Sequence, residues 1–494
     1  MSAAKSSRIG PFGLVLRGFF VLLTVLTPLA GVWVASSLAA FGNRSTTLPI
    51  IAGVLLFPGL PLAWEAFARY RARASTKRRI LTFGDRLILR TLVLNGLFLA
   101  VLLFAFPSRA FVALSTRGDW MLDGRHGAVA ERARRLLLGA SKLVEWSYDA
   151  SHDNPYRKKD EQPAPPVSPS APPTAPAPTE PLPPVPAPTD TNAPTPPPTT
   201  PNRAWPWPAT LEPVVVNMPP EAETSVASVG KYIAEHVSDP FARVKALHDY
   251  AADRIAYDVP ALSLPHIPLE DAEADAVFKS HKGVCAGYAD LVMQLGKASG
   301  DTIAYVTGDA RNQDAPLEGQ PHAWNAAKIE GHWYLLDATW DAGSVDGNTF
   351  TKRYTTDYLF TPVDAFVITH FPDDAGWQLA ETPIDRAAFF RRPVVSPTFV
   401  ARGLTLQSPD RSQVSVGGGL DVVVGNPTGQ FLLVDVFPKG STEQASKRTC
   451  DGDHHTHAHC TFDAAGTYDV RVFVNATEYG NYPFGGSIEA NARP

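Results

Sequence analysis

The sequence predicts a multi-domain protein: N-terminal transmembrane helices, an α+β domain in the second half, and a C-terminal β-sandwich. Three observations lead there: three apolar runs before residue 107, a helix-then-hairpin pattern around residues 239–341, and short Val-, Phe- and Leu-rich runs split by Gly, Pro and Asn turns after residue 394. The 494 residues divide into a membrane anchor (1–115), an amphipathic helical segment (116–160), a Pro-rich linker (161–210), the α+β domain (211–393) and the sandwich (394–494).

Residues 19–40 ("FFVLLTVLTPLAGVWVASSLAA") are too long for the core of a cleavable signal and read as a first span. Residues 48–64 carry three prolines and form a shorter second span. Residues 91–106 form a third, which extends back to Leu87 if Arg90 snorkels towards the interface. The connection between spans two and three holds Arg69, Arg71, Arg73, Lys77, Arg78, Arg79, Arg86 and Arg90, whereas the first connection holds only Arg44. The basic side stays in the cytoplasm, so the N-terminus is cytoplasmic and everything after about residue 108 is extracytoplasmic. Residues 126–146 carry apolar residues every three or four positions with an Arg-rich face, the pattern of an interfacial or solvated amphipathic helix.

Between residues 163 and 208 lie about 20 of the chain's 46 prolines, a composition that cannot build a core. In polyproline II geometry, at about 3.1 Å per residue, such a run is expected to serve as a semi-rigid stalk on the order of 100 Å long. Residues 1–160 hold about 22 Lys+Arg against 9 Asp+Glu, and the remainder about 22 against 40. A nucleic-acid backbone would be repelled by that acidic half, so no nucleic-acid partner is expected.

In the α+β domain, Asp239 and Pro240 mark a helix start and Phe241, Val244, Leu247 and Ala251 follow at helical spacing. A short helix is expected over residues 271–279. The stretch "KGVCAGYA" (282–289) then opens a helix whose buried face runs through Ala289, Val292, Leu295 and Ala298 and which Gly300 stops. Cys285 thus sits at a helix N-terminus, where free amides and the dipole favour a thiolate, and Gly283 and Gly287 are expected to leave room for a substrate. A lone cysteine is also a common buried hydrophobe.

The stretch "HAWNAAKIEGHWYLLDATWD" (322–341) reads as a hairpin turning at Glu330 and Gly331. Counting outward from an Ile329–His332 pair sets Trp324 opposite Asp337, which puts His322 and Asp337 on one face as a diagonal pair; a slip of one residue would separate them. Cys285 as nucleophile, His322 as base and Asp337 as orienting carboxylate form a coherent set for acyl transfer through a thioester, with no cofactor and no metal. Tyr257, Tyr288 and Trp340 are substrate or oxyanion candidates, each equally at home in a core.

"GVCAGYA", "HAWN" and "LLDATWD", in that order, resemble the three blocks of the transglutaminase-like superfamily of cysteine proteases and acyltransferases, and "YLFTPVDAFVITHFPDDAGWQL" (358–379) resembles its kyphoscoliosis peptidase-like branch. The resemblance covers about residues 225–390. It implies a papain/transglutaminase-like fold, in which a cysteine-bearing helix packs on an antiparallel sheet, and a triad of Cys285, His322 and Asp337. The membrane anchor and stalk depart from the intracellular relatives. Some members of the branch have lost catalytic residues and act as binding modules.

The tail is similar to the immunoglobulin-like module that follows the catalytic domain in that branch. Cys450 and Cys460 flank "DGDHHTHAH" and are expected to form a disulfide outside the cytoplasm; His454, His455, His457 and His459 offer a metal-binding alternative with poor zinc spacing. "DAGSVDGN" (341–348) lacks a full calcium-loop pattern and reads as a polar turn. The expected function is a membrane-anchored cysteine peptidase acting on peptide or protein amides. Transamidation or deamidation is the nearest alternative, and a non-catalytic scaffold binding a cell-envelope partner through the sandwich is the alternative from another class.

Overall fold

Three apolar helices open the computed structural model, which describes residues 11–71, 81–125, 127–158, 163–165, 205–264, 268–313, 315–441 and 450–493. Val15–Phe41, Thr47–Arg71 and Phe83–Ala105 are each long and apolar enough to cross a membrane. The second breaks at Phe57, whose backbone leaves helical geometry before Pro58, in keeping with its prolines. Arg90 does not snorkel: it and Arg86 (2.7 Å) pair with Glu65 of the second helix, so the charge is matched by a neighbouring helix.

After the third helix the chain turns at once into Pro107–Arg117, which is buried from Ala110 to Arg117. Phe111 packs on Tyr148 and Phe390, Arg391 donates to the Ser115 carbonyl, and Arg117 donates to Ser415 Oγ at 2.7 Å. The membrane-proximal segment therefore sits directly on the later domains. The expected Pro-rich stalk falls on residues 166–204, which lie outside the described residues; Ala164 and Trp207, on its two sides, both pack on the α+β domain. The expected amphipathic helix is realised as Ala128–Ala140, with Val129 and Leu136 fully open to the outside.

In the α+β domain Asp239 caps Pro240–Arg254 through Ala242 N (2.8 Å), as Asp and Pro at a helix start lead one to expect. The short helix begins later than expected, at Ala274, after a tight turn over Leu269–Ala272. Cys285–Ser299 ends at Gly300, whose φ of +85° is the left-handed stop. This helix lies against Val226–His236; a Cβ on Gly230 would stand 2.6 Å from Ala298 Cβ, so the two helices touch there only because the residue is glycine. Its other side packs on an antiparallel five-stranded sheet. In spatial order that sheet is Leu359–Thr361, His332–Leu336, Gln320–Ile329, Thr302–Ala310 and His370–Pro372.

The C-terminal residues form two further sheets over one core. Val422, Val424 and Ala458 of the four-stranded sheet meet Val434, Val470, Val472 and Ile488 of the five-stranded one. Alternate residues of Gly419–Gly425 and Gly466–Asn475 are buried, the two-residue period of strands with one covered face. Cys450 and Cys460 are cross-strand partners joined by a disulfide.

Candidate active site

Cys285 is the first residue of its helix, 2% exposed, and rests among Val284, Ala286, Ala289, Tyr305 and Ala323. Gly283 and Gly287 do not open space for a substrate, contrary to the sequence reading. A Cβ on Gly287 would lie 2.7 Å from Val277 Cγ2, and one on Gly283 3.2 Å from the same side chain, so both glycines serve the contact with Ala274–Ser280.

The hairpin has the expected register. Glu330 and Gly331 both take positive φ (52° and 87°), which gives the tight turn the right-handed twist strands need, and Ile329 pairs with His332 up to Asn325 with Leu336. Asp337 follows directly and caps Ala338–Ala342. Its Oδ1 accepts from Thr339 N at 2.8 Å, which leaves Oδ2 for His322 Nε2 at 2.7 Å. Cys285 neighbours His322 and adds to the effect of Asp337 on the imidazole. With Nε2 committed to Asp337, Nδ1 is the nitrogen that serves the thiol.

Burial alone would depress the His322 imidazole, but the charges of Asp337 and Cys285 outweigh it and raise the group to about 10. Burial pushes the Asp337 carboxyl upward, and the facing His322 and His370 pull it well below the usual carboxylate range. The pair is therefore held as imidazolium and carboxylate.

Asn325, fourth residue of "HAWN", ties the two halves together. Its Nδ2 donates to the carbonyls of Ala289 on the cysteine helix (2.9 Å) and Ala304 on the neighbouring strand (3.1 Å). His370 escaped the sequence reading as a site residue, although it lies in the quoted "ITHFPDD" block. It is fully buried, donates from Nε2 to Asp337 Oδ2 at 3.2 Å, and sits 2.9 Å from Thr369 Oγ1 through Nδ1. Burial lowers it to about 4, so it is a neutral donor at ordinary pH. His322, Asp337 and His370 converge closely enough to suggest a metal site, but two hydrogen bonds to one carboxylate oxygen account for that convergence.

The three aromatic candidates part company. Trp340 stands 5.7 Å from His322 and 4.6 Å from His370, ring centre to ring centre, and walls the site. Tyr257 packs, partly buried, against the cluster that holds Cys285. Tyr288 points into the core, where its hydroxyl donates to the Ile255 carbonyl at 2.7 Å; this removes it as an oxyanion donor. Asp341 likewise does not belong to the polar turn: it is fully buried and lies 3.1 Å from His248 Nε2, and the turn itself is the hairpin Gly343–Asp346 to Thr349–Lys352.

The transglutaminase-like superfamily model matches residues 227–338. This span holds the cysteine helix and the hairpin. Residues 227–338 belong to the transglutaminase-like superfamily. Kyphoscoliosis peptidase of Mus musculus is 29% identical over 216 residues, covering 40% of this chain and 32% of that protein. The Homo sapiens protein of the same name is 29% identical over 187 residues, covering 36% and 28%. The chain thus spans about a third of the length of these relatives, and the matches place the transglutaminase-like domain in the branch that includes them. Two solved structures also align locally: a candidate cysteine protease from Cytophaga hutchinsonii (23% identity, TM-score 0.20, 23% of this chain and 36% of that one) and a TGase (19%, TM-score 0.20, 26% and 32%). The family resemblance drawn from the three motif blocks agrees with these matches.

Proposed function

We propose that this protein is a membrane-anchored cysteine peptidase in which Cys285, His322 and Asp337 form the catalytic triad. The observation that carries the reading is the buried His322–Asp337 pair, Nε2 to Oδ2 at 2.7 Å, together with the buried Cys285 at the start of its helix. In the reaction, the thiol proton resides on His322 as the imidazolium of an ion pair, and the Cys285 thiolate Sγ attacks the amide carbonyl. The C–N bond breaks as the imidazolium returns the proton to the leaving amine, which leaves a thioester. Water, losing a proton to His322, then attacks the thioester; the C–S bond breaks, the carboxylic acid leaves and the thiol is restored. An amine in place of water would give transamidation from the same intermediate. The Cys285 amide is one oxyanion donor.

The two-sheet C-terminal unit is read as an immunoglobulin-like β-sandwich that binds a partner in the cell envelope, and the basic connection between helices two and three as the cytoplasmic side. The disulfide supports an extracytoplasmic site for both soluble domains. The test of the catalytic reading is Cys285→Ala in the full chain. Peptide hydrolysis or amine incorporation shown by the native protein and absent in the variant is the expected result; a broad peptide panel with no Cys285-dependent turnover would leave the scaffold reading in its place.

A further inference from the structure

Residues 152–158 ("HDNPYRK") precede the Pro-rich run, and a polar segment in that position is ordinarily solvated. This one is built into the cleft over Cys285. Asn154 is buried; its Nδ2 donates to the Gly308 carbonyl (2.9 Å) and to the backbone carbonyl of His322 itself (3.3 Å), and its Oδ1 accepts from Tyr156 N (3.0 Å). Tyr156 is buried in one apolar cluster with Cys285, Ala286 and Ala289. Its carbonyl accepts from Tyr305 OH at 2.9 Å.

The next two residues are cations, and each meets an acid. Arg157 lies 2.9 Å from Asp373 Oδ2, and Lys158 Nζ lies 2.5 Å from Asp290 Oδ1 and over the Tyr305 ring. Past Lys158 an open groove of about 1100 Å³ continues, with Glu273, Asp275, Asp290 and Asp301 on its walls against Lys297. That groove thus carries four acids beside the end of the strap. The strap sets Tyr156 in the cluster with Cys285 and turns the Tyr156 carbonyl towards Tyr305, so it occupies the cleft without offering that acyl carbon for attack.

We propose that residues 152–158 are an internal substrate mimic, and that the groove over Cys285 takes peptides in which an aromatic residue is followed by basic ones. The proposal rests on Cys285 being the nucleophile of the preceding section. The strap shields the thiol until a substrate or a movement of the membrane-proximal segment displaces it.

The experiment uses the full chain in detergent or lipid nanodiscs and reads the rate of Cys285 alkylation by iodoacetamide. With Cys450 and Cys460 in a disulfide, Cys285 is the one free thiol among the chain's three cysteines, so the label reports it alone. Accessibility scales with the open fraction, so Tyr156→Ala should raise the rate by at least roughly tenfold. Arg157→Glu with Lys158→Glu, which sets like charges on Asp373 and Asp290, should raise it in the same direction. Rates within about twofold of native in both variants, with native melting temperatures, would overturn the strap.

A synthetic peptide of residues 152–158 should slow alkylation of the Tyr156→Ala protein, and the same peptide with glutamates at the two basic positions should not. Equal protection by both peptides overturns the substrate class. Faster alkylation in the variants without Cys285-dependent turnover of any peptide overturns the enzymatic reading and leaves the strap supported.

Discussion

Replacing Asp337 by asparagine tests the charge logic of the site most directly. Raising an imidazole from 6.5 to about 10 corresponds to roughly 5 kcal/mol of preference for its charged form, at about 1.36 kcal/mol for each factor of ten. Burial of His322 works against that charge, so removing the Asp337 carboxylate lowers the imidazole from about 10, with Cys285 alone left to oppose burial. Geometry compounds the loss. Oδ1 of Asp337 accepts from Thr339 N, so the introduced amide keeps its oxygen there and turns its NH₂ towards His322 Nε2. That nitrogen must then accept, the ring proton moves to Nδ1, and the nitrogen facing Cys285 can no longer take the thiol proton. The expected loss in kcat/KM is about 10³- to 10⁴-fold, the scale at which a wrong imidazole tautomer disables a triad. The assay is peptide turnover against pH in a Tyr156→Ala background. The alkaline limb, near 10 with Asp337 present, should move to lower pH. A fall of less than about tenfold, or a limb that stays near 10, would refute the reasoning.

Three further outcomes follow from neighbouring groups. His370 donates to the same carboxylate oxygen, so His370→Phe keeps the ring packing but removes the donor; kcat/KM should drop about 10- to 100-fold with KM unchanged, and His370→Gln, which can donate again, should recover most of it. An equal drop in both variants would mark His370 as packing only. His248 is raised from 6.5 to about 9: burial opposes the charge, but Asp249 and Asp341 outweigh it. A raised folded-state value means its contribution to stability is full below pH 6.5 and is lost as pH rises through about 9, so the native protein should lose melting temperature across that window relative to His248→Gln. A gap that widens with pH instead would reverse the assignment. The disulfide closes a separation of 10 residues, and the double serine variant of Cys450 and Cys460 should lose about 2–3 kcal/mol, read from denaturant unfolding of the C-terminal transition; an unchanged midpoint would exclude a stabilising bond.

The site was legible where local rules and pairing rules act together. Asp239 and Gly300 are short-range signals whose chemistry works wherever they fall, and the Glu330–Gly331 turn sets a register that carries His322 and Asp337 to one face. Asn154 and Tyr156 were not legible, because their partners lie 154 residues away at Gly308 and 149 away at Tyr305, a pairing that no periodicity encodes. The glycines beside Cys285 were misread for a related reason. A missing Cβ makes room, but only the packed neighbour, here Val277 and not a substrate, says for what. Pro107–Arg117 was hidden by continuity: it follows the third apolar helix almost without a break, yet Ser115, Thr116 and Arg117 are buried against protein.

That helix bears on how so short a strap can hold a cleft through contacts as modest as two cations on two acids, one of them half open to solvent. Exposed ion pairs of this sort contribute little alone, and a free peptide making them would bind weakly. The strap is not free. On one side Tyr148 is buried against Phe111 and Phe390, and on the other Ala164 packs with the core beside Gly376. Fixing both flanks keeps Tyr156 near Cys285 at an effective concentration on the order of millimolar, so weak contacts give high occupancy. A competing peptide must overcome that concentration and not a high intrinsic affinity. Loosening either flank lowers it without altering any group in the triad, and one of those flanks is held by the helix that leads directly out of the third apolar segment.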